Sequence, residues 1–129
     1  MKASDELTDF ILDQLAPLGR FAIRRMFNST ALFQDGLMVL LIDHAGVVFL
    51  KTDALNRDRF IAAGCSPFTY TRRSANGTLK AVALSFYTLP DGLLEDQEAL
   101  LDWVRSAGEA ARRADSNKRR ARDSAFPTA

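Results

Sequence analysis

A single cysteine, Cys65, and a single histidine, His44, are all the thiol and imidazole this sequence offers. One cysteine excludes an internal disulfide and fits a reducing compartment. One Cys and one His fall short of the four-ligand set of a zinc site, so no metal is expected. Cys65 follows His44 by 21 residues, and no third group is spaced to orient the two as nucleophile and base. The plainer reading is a solvated turn histidine and a half-buried thiol. Gly36, Gly46, Gly64 and Gly77 stand singly in turns, whereas a phosphate cradle needs clustered glycines. Carboxylates are plentiful but scattered over helix faces, where they serve solvation. No apolar run approaches the roughly 20 residues that span a bilayer. The start, Met1-Lys2-Ala3-Ser4, leads into an amphipathic pattern rather than a signal peptide. These absences predict a cytoplasmic protein with no enzymatic activity, no cofactor, no small-molecule substrate and no membrane partner.

What is present describes one domain. The chain has 129 residues, 47% of them hydrophobic and 26% charged, enough to build a core without disulfides or metal. The net charge of +1 conceals an asymmetry: Arg112 to Asp123 holds six Lys or Arg against two Asp, a local +4 that leaves the remainder at −3. The basic character belongs to the C-terminal end, which argues against a nucleic-acid surface spread over the fold. Residues 1–114 are expected to form the domain. Residues 115–129, DSNKRRARDSAFPTA, are expected to form a flexible basic tail.

Two turn signals organise the first half. Asp35-Gly36 and Asp43-His44-Ala45-Gly46 separate apolar runs, the largest being Leu37 to Ile42, and so predict consecutive antiparallel strands. Strict alternation places Met38, Leu40 and Ile42 on one face and Leu37, Val39 and Leu41 on the other. Before them, Ser4 is placed to cap a helix whose stripe is Leu7, Phe10, Ile11 and Leu15, ended by Pro17 and Gly19. A strand follows over 21–27, with Phe21 and Ile23 on one face and Arg24 on the other; Thr30 to Gln34 pairs with the next run. Asp53 caps a short helix through Ala63 that Gly64 closes. Strands over 68–73 and 79–88 join around Ala75-Asn76-Gly77, with Val82, Leu84 and Phe86 as their inward row. A last helix carries Ala99, Leu100, Trp103, Val104, Ala107, Ala111 and Ala114 on one stripe. The order predicts an α+β fold: two layers, an antiparallel sheet of about five to six strands, and helices at the N-terminus, middle and C-terminus.

Several segments, in this order along the chain, resemble the N-terminal domain of the TfoX/Sxy family. They are Arg24-Arg25-Met26-Phe27, Ala31-Leu32-Phe33-Gln34-Asp35-Gly36, Phe49-Leu50-Lys51, Asn56-Arg57, Ala62-Ala63-Gly64 with Pro67-Phe68, Ser85-Phe86-Tyr87, and Ala99-Leu100-Leu101-Asp102-Trp103. The resemblance covers roughly residues 7 to 112 and implies a bacterial regulator of competence and transcription, thought to act with the cyclic-AMP receptor protein. Because the chain ends after the final helix, it is similar to stand-alone, single-domain members. One departure stands out: Asn28-Ser29-Thr30 occupies the place where the family has glycines. Any bulge those glycines permit must here be formed by residues less suited to it, of which Asn is the least costly.

Three cationic groups are candidate contacts. Arg24 and Arg25 form an anion-binding pair or, alternatively, a solvated residue beside a locally paired one. Arg72 and Arg73 beside Tyr70 offer cation and stacking surface to single-stranded nucleic acid, or merely solvate a strand end. Lys118, Arg119, Arg120 and Arg122 reach a phosphate backbone or acidic partner, or only solubilise the chain end. A fourth candidate is apolar: if all helices cover one side of the sheet, Leu37, Val39 and Leu41 are left to contact a second copy or a regulatory protein, with help from an unpaired strand edge. The alternative puts a helix on each side and leaves no patch. Two functions follow, a protein-interaction module and an accessory nucleic-acid binder acting through the tail.

Overall fold

A computed structural model describes residues 3–26 and 28–125. Phe27, in the expected first strand, and the last four residues of the expected tail lie outside the described residues. So does the side chain of Ser4, the expected cap.

Helix α1 (Ala3–Leu15) buries Ile11 and Leu15, while Leu7 is half-buried against the same core. Phe10 differs from expectation: it is 43% exposed, lying off the stripe that the four-residue steps of Leu7, Ile11 and Leu15 define. A 3₁₀ turn at Ala16–Leu18 ends in Gly19 at φ +107°. Strands β1 (Ala22–Met26), β2 (Ser29–Gln34), β3 (Leu37–Ile42) and β4 (Val48–Lys51) then follow as an antiparallel meander. Asp35 and Gly36 both take positive φ, +54° and +81°, the geometry of the two-residue hairpin turn whose twist matches its strands. At the β1–β2 turn Asn28 sits at φ +64°, a left-handed position that Asn tolerates better than other non-glycine side chains.

After β4, α2 (Arg57–Ala62) leads to a hairpin of β5 (Pro67–Arg73) and β6 (Leu79–Thr88), and α3 (Gln97–Ala125) closes the chain. The sheet has six strands in the order β1-β2-β3-β4-β6-β5, all antiparallel, with β1 and β5 as its edges. The α+β arrangement matches the sequence reading. The C-terminal end does not: α3 runs on to Ala125, so residues 115–125, expected as a flexible tail, are helical.

Buried residues of all three helices meet in one cluster. Ile11 and Leu15, Phe60 of α2, and Leu100, Val104, Ala107 and Ala111 of α3 pack on Leu32, Leu40, Ile42, Val48 and Leu50. A fully buried Leu, Ile or Phe stabilises by about 1.5–3 kcal/mol. The alanines of α3 bring its backbone close to β3 and β4, against which it lies. The helices therefore occupy one face of the sheet.

Alternation along β3 is broken once. Leu32 pairs with Leu40 but Phe33 pairs with Met38, so Val39 is an extra residue accommodated by a β-bulge. Val39 joins Leu40 and Ile42 in the helix-side core, and Leu37 packs there too. This corrects two of the three expected surface residues: Val39, 2% exposed, is core, and Leu37 is half-buried beneath the helices. Only Leu41 points to the other face.

Candidate interaction groove

The helix-free face has a small core of its own. Ala31, Leu41, Phe49 and Phe86 are buried there, with Met26, Phe33, Met38 and Phe68 packed around them. Phe68 meets Phe49 edge to face at 5.0 Å, a favoured aromatic geometry. Period-two alternation explains the membership: Phe86, Leu84 and Val82 share one face of β6, and Tyr70 is the cross-strand partner of Val82. This row was expected to point inward. It points to the helix-free face, and only Phe86 is buried.

These side chains shape a groove of ≈ 710 Å³. Met38, Leu41 and Phe86 line its middle; Phe68, Thr69, Tyr70 and Leu84 come from the β5–β6 hairpin, and Met26, Ser29, Asp43 and His44 from the opposite side. Tyr70 at 41% and Leu84 at 38% leave large apolar surface in water. Of the residues that line the groove, the sequence points to Leu41 and Tyr70 as contacts and to none of the others. The signal was there in the period-two row of β6 and in Phe68 and Tyr70 two apart on β5.

The structure separates the paired arginines. Arg24 lies on the groove side of β1 with its guanidinium 5.3 Å from the Phe33 ring. Arg25 points to the helix side and donates to Asp5 of α1, as its locally paired alternative foresaw. Arg72 and Arg73 divide likewise: Arg72 stands opposite Lys80 on the groove face, whereas Arg73 stands opposite Leu79 on the other. At the C-terminal end, Arg119 pairs with Asp115 one helical turn earlier at 3.2 Å. Arg120 and Arg122 are exposed. Lys118 borders a second, smaller groove together with Lys51, Phe86 and Met38.

Lys51 rests over the Phe86 ring at 5.4 Å. Its ammonium is pushed below the ordinary lysine range by burial and by the charge of Lys118, with Asp53 acting in the opposite sense. On the helix side, burial pushes the Cys65 thiol up, while a hydrogen bond with Thr88 opposes the shift. Cys65 packs against the helix-side core and His44 borders the groove on the other face, so the structure does not bring the two together. Among the described residues no group of three or more His, Cys, Asp or Glu is placed to hold a metal ion. Among them, too, no helix is long and apolar enough to cross a membrane.

The family model of the TfoX N-terminal domain matches residues 13–111. The chain belongs to the TfoX N-terminal domain family. The TfoX match runs from the last turn of α1 to the alanine-rich part of α3 and so takes in every strand and the whole groove. Membership carries a likeness to regulators of competence and transcription. No curated protein matches the chain.

Proposed function

We propose that this TfoX-family domain is a non-enzymatic, cytoplasmic protein-interaction module that acts on transcription by contacting another protein through the helix-free face of its sheet. One observation carries the reading: an apolar groove open to water on the face that no helix covers, lined by Leu41, Phe86, Tyr70 and Leu84. Contiguous exposed apolar surface rimmed by polar residues marks interaction sites in soluble proteins. Capture from the native cell, comparing the full chain with Leu84→Glu, tests it. Leu84 is partly exposed, so the variant is expected to fold with unchanged circular dichroism while losing the captured protein. Capture of the same proteins in the same amounts by both forms overturns the assignment of the groove.

A second reading is favoured by the end of α3, which places Lys118, Arg119, Arg120 and Arg122 on an exposed helix. In it the domain is an accessory nucleic-acid binder. Counterion release then requires affinity for duplex DNA to fall steeply with salt, and truncation after Ala114 to abolish it. Binding that survives the truncation excludes the helix end as the contact.

A further inference from the structure

The cations around the groove are arranged against one another. Arg72 and Lys80 are direct cross-strand partners on the hairpin, a pairing of like charges that destabilises a sheet. Beyond Met38 and Phe86, which the two grooves share, Lys51 and Lys118 line the smaller groove, and Lys51 feels the charge of Lys118. Arg24, on the same face but outside the groove, stacks on Phe33 beside Asp35. No carboxylate of the described residues forms an ion pair with any of these five, whereas Arg25, Arg59, Arg113 and Arg119 each have one. The nearby acids are engaged: Asp53, which attracts Lys51, is held by Arg113, Asp43 accepts from the backbone N–H groups of Ala45 and Val47 at 2.9 Å each, and Asp115 holds Arg119.

We infer that the groove receives an acidic amphipathic helix of a partner protein, its apolar stripe seated on Met38, Leu41, Phe86 and Leu84 and its carboxylates reaching Arg72, Lys80, Lys51 and Lys118. The inference rests on the interaction reading above and adds the chemistry of the partner. Charge complementarity selects the acid: the two cation pairs repel until anions from outside settle between them. The lining selects a helix. It opens on the face of the sheet and not on the free hydrogen-bonding edge of β1 or β5, so a strand added to an edge does not cover it, whereas a stripe of residues at i, i+3, i+4 and i+7 does. Two flexible methionines, Met26 and Met38, let the surface adapt to such a stripe. Nucleic acid fits less well, because Met38, Leu41, Leu84 and Phe86 give phosphates no partner across the middle of the groove.

The test titrates the full chain with a fluorescent synthetic peptide of about 18 residues, with Leu and Phe on one stripe and Glu elsewhere, read by anisotropy. A scrambled peptide and a version with Lys for Glu serve as controls. The acidic peptide is expected to bind at least about tenfold more tightly than either, to lose about tenfold in Leu84→Glu, and to weaken in Arg72→Glu and Lys80→Glu and at high salt. Equal binding of the acidic and basic peptides, or no binding by any of them, overturns the inference. So does single-stranded DNA binding that Leu84→Glu abolishes, which gives the groove to nucleic acid. Concentration-dependent dimerisation that Leu84→Glu abolishes gives it to a second copy and also overturns the inference. If the peptides fail while Leu84→Glu still removes a captured cellular protein, the partner chemistry falls and the interaction reading stands. If capture is also unaffected, both fall.

Discussion

Arg113 of α3 grips Asp53 at the end of β4 through two hydrogen bonds, Nε to Oδ2 at 2.6 Å and Nη2 to Oδ1 at 3.0 Å. The same carboxylate accepts from the backbone N–H groups of Leu55 and Asn56. One side chain therefore shapes the turn into α2 and ties it to α3. The Arg113 hydrogen bonds, more than the turn amides, hold the Asp53 carboxyl at about 2, below the ordinary value of about 3.9. A depressed carboxylate contributes stability that is complete above its unfolded pKa and disappears as pH falls through the folded one. Asp53→Asn is thus expected to cost on the order of 1–2 kcal/mol at pH 7, after allowance for the partly exposed Arg113, a cost that shrinks to about a third of that at pH 2.5 and vanishes only below pH 2. Urea melts of both forms at pH 7, 4 and 2.5 check the convergence. A gap that stays constant across that range rules out the linkage.

Asn56 completes the same junction. Its Oδ1 accepts from the Asp53 N–H at 2.7 Å, and its Nδ2 donates to the Lys51 carbonyl at 3.3 Å and to the Ser106 hydroxyl at 3.1 Å. Removing these atoms from a buried site strands their partners, so Asn56→Ala is expected to lose about 2–3 kcal/mol. Asn56→Asp should do no better, because a carboxylate oxygen then faces the Lys51 carbonyl and the Ser106 carbonyl, 3.3 Å from the amide nitrogen in each case. Equilibrium denaturation measures both. Stability within about 0.5 kcal/mol of wild type in either variant contradicts the network.

The turn at Asn28 supplies a backbone prediction. With φ at +64°, Asn28→Gly is expected to be neutral or to stabilise by up to about 1 kcal/mol, and Asn28→Val to destabilise by about 1–2 kcal/mol. Thermal melts rank the three forms, and a valine variant as stable as wild type would show that the turn tolerates a β-branched residue.

Helix α3 predicts a spectroscopic loss. Of the 13, 6 and 29 residues in the three helices, the eleven from 115 to 125 lie beyond Ala114. Truncation there is expected to lower the total helical ellipticity per molecule by a little under about a quarter, with the core transition retained. An unchanged helical signal fits a tail that is not helical in solution.

How legible this was depended on the kind of signal. Asp35-Gly36 and the Asn76-Gly77 turn announce their hairpins because positive φ is a local demand. The stripe from Leu100 to Ala111 announces a helix because its partners repeat every turn. The stretch after Ala114 carried no stripe, and its composition spoke for a tail; yet it continues a helix already nucleated, and extension adds a hydrogen bond for every residue fixed. The groove was half legible. A bare face was one of two arrangements that the two-sided apolar strands allowed, and which leucines lie on it was not legible, since a run of six aliphatic residues gives no parity mark and Val39 interrupts the alternation without a glycine to signal it.

That interruption gives β3 an unusual tolerance. On either side of Val39 the strand keeps the parity of a segment one residue shorter: Leu37, Leu40 and Ile42 toward the helices, Met38 and Leu41 away from them. Excising a residue from a central strand ordinarily turns one half inside out. Excising Val39 leaves every neighbour aimed where it already is, so the groove's middle outlasts a deletion that forfeits one buried valine.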